Sequence, residues 1–320
     1  MSDPVASSRG RPRKRHLWLA AGLLVMVAIG LAAAYWLWVP ASGDLVQTGV
    51  VDGRSRHWLV HVPPGYRAGH AVPLVIAFHG HYGSPENMVR LTGLDRVADR
   101  ASFIVVYPAG IDRSWAAGVD SPADKAGVDD VAFTVALLDR LQAQYTIDPD
   151  HVVLTGFSNG AHLVQLLGCR LARRVAAIVP VSGTFAPSAA AGCHPARPLS
   201  VVEFHGTSDP VDPFGGGRIH VPGGGQVLSV PMTMSDWARS DHCSGTPRDA
   251  VVGASTDGIT VTRRDYRGCA DRVRVSLYEI AGAGHTWPGG PQYLPRFLIG
   301  RATHVVDASQ VIATLAAGDP

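Results

Sequence analysis

Ser158, Asp209 and His285 have the residue types and the order along the chain needed to break an acyl bond. Ser158 is the centre of Gly156-Phe157-Ser158-Asn159-Gly160, a G-x-S-x-G pattern that places a serine on a sharp strand-to-helix turn. Glycine at both flanks suits a turn too tight for a side chain. A serine hydroxyl is a weak nucleophile until a base takes its proton, so an imidazole and a carboxylate that orients it are required. His285 and His304 are the only histidines beyond Cys243, and His285 is favoured because its glycine-rich loop directly follows a strand-like run. For the acid, Asp209 is favoured over Asp212 and, more distantly, Asp241. It lies four residues beyond His205 in a loop that ends a strand.

These residues need a scaffold that brings distant loops together. His151 to Thr155 reads as a short buried strand leading into the serine turn, with a helix opening after it. Pro73–Phe78 and Phe103–Tyr107 are nearly continuous apolar runs, as expected of parallel strands covered on both faces. Val175–Gly183 reads as a strand plus turn, while Leu199–Phe204 and Val273–Ile280 are further strands. The stretches 86–100, 129–141, 230–240 and 308–317 have helical character. Asp129-Asp130 is read as a helix start rather than as a metal pair, because acidic residues favour that end electrostatically. Two strand-like runs joined at Asp52-Gly53 predict an antiparallel edge hairpin. Alternation of strands and helices from residue 73 onward predicts an α/β fold with a mostly parallel sheet flanked by helices. Each candidate catalytic residue falls just after a strand, the end where such sheets carry their sites.

A hydrophobic content of 46% with 17% charged residues suits a large core and excludes a disordered chain. The net charge of +2 arises at the N-terminus, where the run Arg9 to Arg15 less Asp3 supplies +4 and leaves residues 16–320 at −2. No basic excess in the main domain points to nucleic acid. The basic run precedes Leu17–Val39, uncharged for 23 residues and roughly 34 Å long as a helix, enough to cross a bilayer. The expected organisation is a cytoplasmic tail (1–16), a transmembrane signal anchor (17–39), a linker (40–44) and a catalytic domain (45–320). A cleaved signal peptide is the alternative, with small residues near Val39-Pro40-Ala41. Both readings export the domain, anchored to the membrane or free.

Export agrees with four cysteines that lack metal-type spacing. Of three possible pairings, proximity favours Cys169–Cys193 and Cys243–Cys269, with four buried thiols as the alternative. His79, His81 and His205 also sit at strand ends, but HExxH or equivalent spacing is absent, so no metal and no cofactor is expected. The glycine-rich stretch 215–225 lacks a phosphate-loop lysine and reads as a crossover loop.

The elbow DPDHVVLTGFSNGA, the segment VVEFHGTSDPVDPF and above all GAGHTWPGGPQYLPRFLIG resemble the polyhydroxybutyrate depolymerase and feruloyl esterase family. The resemblance covers residues 45 to 315 and implies an α/β-hydrolase fold that cleaves carboxylic esters. By motif it implies Ser158 as nucleophile, Asp209 as acid, His285 as base, and the backbone N–H groups of His81 and Asn159 as oxyanion donors. It places His79, Gly80, Trp115 and Trp287 near the substrate pocket; as bare sequence, either tryptophan equally suits core packing. His81-Tyr82 stands where the family often has smaller or different residues, which predicts an altered acyl pocket. The expectation is an exported serine esterase acting on a small or oligomeric ester, of hydroxyalkanoate, feruloyl or acetyl type. A serine peptidase on the same fold and an inactive envelope binding protein are the alternatives.

Overall fold

The computed structural model describes residues 44–222 and 224–318. The basic tail, the apolar run 17–39 and most of the linker lie outside the described residues. Among the described residues no helix is long and apolar enough to cross a membrane.

The chain opens with the expected hairpin, β1 (Leu45–Val51) against β2 (Arg54–His61), and β1 forms one edge of the main sheet. Then come β3 (Val72–Phe78), helices α1 (Pro85–Thr92) and α2 (Leu94–Ala101), and β4 (Ile104–Pro108). After a short α3 (Pro122–Lys125) and the long α4 (Asp130–Gln144), β5 (Ile147–Phe157) runs into α5 (Asn159–Leu171). Next are β6 (Ala177–Val181), a short α6 (Pro187–Ala191) and β7 (Ser200–Gly206). The glycine-rich crossover contains a small antiparallel pair, β8 (Gly217–Arg218) and β9 (Gln226–Val227). Helix α7 (Val230–Ser240), strands β10 (Gly245–Ala254), β11 (Thr260–Arg267) and β12 (Val275–Ala281), and helices α8 (Arg296–Ile299) and α9 (Ala308–Ala316) complete the order.

The large sheet runs β1-β2-β4-β3-β5-β6-β7-β12-β11-β10. Its middle, from β4 to β12, is parallel, and antiparallel strands flank it on both sides. Alternation along the strands divides the core into two layers. Leu74, Ile76 and Phe78 of β3 face one side, with Phe133, Leu137 and Leu141 of α4, Leu163 and Leu167 of α5, and Met234 and Trp237 of α7. Val75 and Ala77 face the other side, against Met88, Leu94, Val97 and Ile312 from α1, α2 and α9. Burying each such aliphatic side chain contributes about 1.5–3 kcal/mol. Coverage on both faces accounts for the unbroken apolar runs of β3, β4 and β6.

The helical stretch 86–100 is two helices, because Gly93 takes a left-handed conformation (φ 59°) that ends one and starts the next. Asp129 does cap its helix, accepting from the Ala132 N–H at 2.8 Å, and Asp307 and Ser229 cap theirs in the same way. The β10–β11 hairpin is an element the sequence does not announce. β10 is mostly exposed and lacks alternation, and it carries Pro247, which only an edge strand accepts readily. Cys169 is bonded to Cys193 and Cys243 to Cys269, with Cα separations of 5.1 and 3.7 Å.

Candidate active site

β5 leads directly into the serine turn. Ser158 has φ 56° and ψ −120°, a strained conformation for a residue with a side chain, held where the strand becomes α5. The Ser158 N–H donates to Val181 O at 2.9 Å, and its carbonyl accepts from the Ala161 and His162 N–H groups. A Cβ at Gly156 would overlap the Gly160 carbonyl, and one at Gly160 would overlap the Phe78 carbonyl. Both glycines are therefore required by close backbone approach.

Asp209 and His285 come from the loops after β7 and β12, neighbouring parallel strands. His285 Nδ1 donates to Asp209 Oδ2 at 2.8 Å, and both side chains are almost wholly buried. The other carboxylate oxygen of Asp209 accepts from the Val211 and Asp212 N–H groups, each at 2.8 Å. Burial alone would raise the Asp209 carboxyl. Its contacts with His285, the nearby His205 and the backbone outweigh that, and the group lies below the ordinary carboxylate range. The His285 ring packs 4.8 Å from the ring of Phe157, the residue before the serine. Its N–H donates to Ile299 O and its carbonyl accepts from the Tyr293 hydroxyl at 3.2 Å, so the imidazole has little freedom.

The loop after β3 approaches from the opposite side. A methyl at Gly80 would come within 3.3 Å of the Ser158 Cβ, so this loop lies against the serine turn. The N–H of Asn159 opens α5, where helix geometry leaves backbone donors without partners in the helix. The Asn159 side chain is turned away from that position and clamped on Trp115: its Oδ1 accepts from Trp115 N at 2.7 Å, and its Nδ2 donates to Trp115 O at 3.1 Å. His81 is half-buried, with its ring stacked on Tyr82 at 4.0 Å.

Trp115 and Trp287, expected near the substrate pocket, are both wholly buried. The indole of Trp115 donates to His79 O at 2.8 Å and that of Trp287 to Ser309 Oγ at 3.0 Å. Each tryptophan supports a site loop from beneath, because its apolar ring is better satisfied by the core layers than by solvent. His79 is likewise buried, with Nδ1 donating to Gly80 O and Nε2 accepting from the Gly110 N–H at 3.0 Å. Burial lowers its pKa to about 4, so near neutrality it is an uncharged brace. Gly80 lies against Phe157 and Ser158. Asp212 faces His162, with Oδ2 2.9 Å from Nε2, and Asp241 caps β7 through the Leu199 N–H at 3.0 Å. His304 is exposed on the groove beside the β10–β11 turn.

Two arrangements carried no sequence signal. Arg56 of β2 forms a buried ion pair with Asp130 at 2.6 Å and stacks over Phe133 at 3.6 Å, and the second Asp130 oxygen accepts from the Ala116 N–H. This pair fixes the backbone beside Trp115. Separately, Asp44, His61 and Asp95 bring ligand-type atoms within 4.8 Å of one another. Both nitrogens of His61 already face carboxylates, Asp44 at 3.2 Å and Asp99 at 2.8 Å, so a protonated imidazole satisfies the cluster without a metal.

The fold is of the α/β type, and the family and relatives that the chain matches make it a carboxylic ester hydrolase. The chain belongs to the Esterase PHB depolymerase family, which matches residues 57–216. It is 32% identical over 252 residues to a protein of Nocardia uniformis subsp. tsuyamanensis named "Putative esterase NocK", covering 75% of this chain and 73% of that one. It is 28% identical over 238 residues to feruloyl esterase B of Piromyces equi, covering 72% of this chain and 42% of that protein. Among solved structures, acetyl xylan esterase from Aspergillus awamori superposes with a TM-score of 0.52 at 15% identity, over 76% of this chain and 94% of that one; this likeness speaks for the fold alone.

Proposed function

We propose that the protein is an exported serine esterase in which Ser158, His285 and Asp209 form the catalytic triad. The observation that carries this reading is the 2.8 Å bond from His285 Nδ1 to Asp209 Oδ2, held beside the strained serine turn. With Nδ1 committed to the carboxylate, Nε2 takes the Ser158 proton as Oγ attacks the ester carbonyl. The backbone N–H groups of His81 and Asn159 stabilise the tetrahedral oxyanion. His285 then returns the proton to the departing alcohol, leaving an acyl-serine. Water attacks that ester with the same base, releasing the acid and restoring Ser158. Asp209 orients the imidazole and stabilises its charged form.

The substrate class we propose is a hydroxyalkanoate, feruloyl or acetyl ester, small or oligomeric. The name of the feruloyl esterase relative supports the feruloyl class. Two disulfides support an oxidising, extracytoplasmic location, and the apolar run 17–39 supplies the means of export or membrane anchoring.

Fluorophosphonate labelling of the full chain, with the labelled peptide mapped, tests the nucleophile. Stoichiometric label on Ser158 that disappears in Ser158→Ala is the expected result. A folded, disulfide-intact protein that takes no label rejects the triad.

A further inference from the structure

Behind the Asp209–His285 pair lies a second set of buried ionisable groups that the mechanism above does not use. His205, on β7, is 1% exposed. Its Nε2 lies 2.9 Å from the main-chain oxygen of Asp212, which can only accept, so Nε2 carries a hydrogen. Its Nδ1 lies 3.2 Å from Glu203 Oε1. The other oxygen of Glu203 accepts from Gln165 Nε2 at 2.8 Å, and Gln165 Oε1 accepts from the Trp237 indole N–H at 2.6 Å. Burial raises the Glu203 carboxyl; against it, His205 and this chain of donors, running from α7 through α5 to β7, point hydrogens at Glu203 and support its carboxylate form. An ionised Glu203 puts the second hydrogen on His205 Nδ1. Burial opposes a charge on this ring, but Glu203, Asp209 and Asp212 outweigh it and raise its pKa to about 9.

The resulting cation lies against the catalytic acid. His205 Nε2 is 3.8 Å from Asp209 Oδ2, the same oxygen that receives the His285 hydrogen bond. The surrounding groups can be followed element by element. β7 contributes Glu203 and His205; its loop contributes Asp209 and Asp212; α5 contributes His162; the loop after β12 contributes His285. The Tyr293 hydroxyl stays neutral, raised by burial and by Asp209. His162 repeats the His205 pattern, with Nδ1 on Thr184 O at 2.7 Å and Nε2 2.9 Å from Asp212 Oδ2, so it too faces acceptors at both nitrogens. His205 and His162 thus stand among Glu203, Asp209 and Asp212, with His205 the imidazole nearest the oxygen of Asp209 that bonds His285.

We propose that His205 is a positioning residue for the esterase reaction: a buried imidazolium, clamped by Glu203, that keeps Asp209 ionised and thereby sets the lower pH limit of activity. The proposal rests on the triad reading. Removing the cation raises the Asp209 carboxyl, which moves the acid limb of activity to higher pH.

The test follows the second-order rate of Ser158 labelling by a fluorophosphonate across pH 4–9, in wild type and His205→Gln, each checked for folding by thermal melting. The expected result is an acid limb displaced upward by about one pH unit, with slower labelling at every pH below it. An unchanged profile in a folded variant overturns the proposal and leaves the triad intact. Absence of labelling in the wild type rejects the triad itself. Imidazole nitrogen NMR of the wild type gives a readout that does not depend on the variant's folding. His205, identified from its position beside Glu203, is expected to carry hydrogen on both nitrogens at pH 8. A singly protonated neutral ring there overturns the proposal.

Discussion

The side-chain amide of Asn159 and the backbone of Trp115 are joined by reciprocal hydrogen bonds, 2.7 Å into Oδ1 and 3.1 Å from Nδ2. The same tryptophan donates its indole N–H to His79 O at 2.8 Å. One residue thus ties together the two segments proposed to supply oxyanion donors, the start of α5 and the loop after β3. All three bonds join protein groups to each other. Their effect is to fix where the donors point, and such preorganisation is worth most when charge develops.

Trp115→Phe keeps an aromatic ring in the core but loses the bond to His79. Asn159→Ala keeps the backbone donor but loses both clamps. Each variant is expected to lower kcat by on the order of ten- to a hundredfold with a much smaller change in KM. Steady-state kinetics on a soluble aryl ester checks this. A rise in KM with kcat unchanged would instead indicate that the loops serve only binding.

The serine turn allows almost no added volume. Gly160→Ala pushes a methyl into the Phe78 carbonyl, and backbone cannot yield as a flexible side chain would. Overpacking of this kind costs about 1–3 kcal/mol or more. Urea unfolding should show a lowered midpoint with an unchanged slope, accompanied by loss of fluorophosphonate labelling. A variant as stable as the wild type would show that the turn opens more easily than its geometry implies.

His61 joins the start of β1 to α2 by lying between Asp44 and Asp99. Its hydrogen bond to Asp44 is the largest contribution to a pKa raised to about 9. A histidine raised on folding contributes stability that is fully present below the unfolded pKa of about 6.5 and is lost as pH rises through about 9. His61→Gln is therefore expected to destabilise the protein at pH 6 and to differ little from wild type near pH 10. Denaturant titrations at the two pH values measure the difference. Equal loss at both would mean that the ring acts by packing alone.

The serine turn was legible because its constraints are local: two glycines, β-branched residues before them and a helix after. Asp209 and His285 were legible because each follows an apolar strand run. The β10–β11 hairpin was not, since β10 packs little against the core and so imposes no alternation on its residues. For Trp115 and Trp287 the sequence left pocket and core open, because position in a loop says nothing about which side of the loop an indole occupies; both indoles are buried. Nor could spacing reveal that His205 meets Glu203, Asp209 and Asp212 in one buried cluster, with His162 opposing Asp212. That arrangement depends on β7 lying next to α5 and on the fold of the loop beyond it.

Asp209 and His285 are 76 residues apart in the chain yet follow adjacent strands, β7 and β12, paired in parallel from Val201–Val275 to Gly206–Ile280. Between them in sequence the chain forms the glycine-rich crossover and α7, then returns to the sheet through β10 and β11, with β11 paired to β12 and β10 at the exposed edge. Exchange of exposed residues on β10 leaves the spacing of Asp209 and His285 to the strand ladder. That separates the paired residues from one variable margin of the sheet, and it marks residues 245–254 as a place where a designer could graft new recognition without rebuilding the proposed reaction centre.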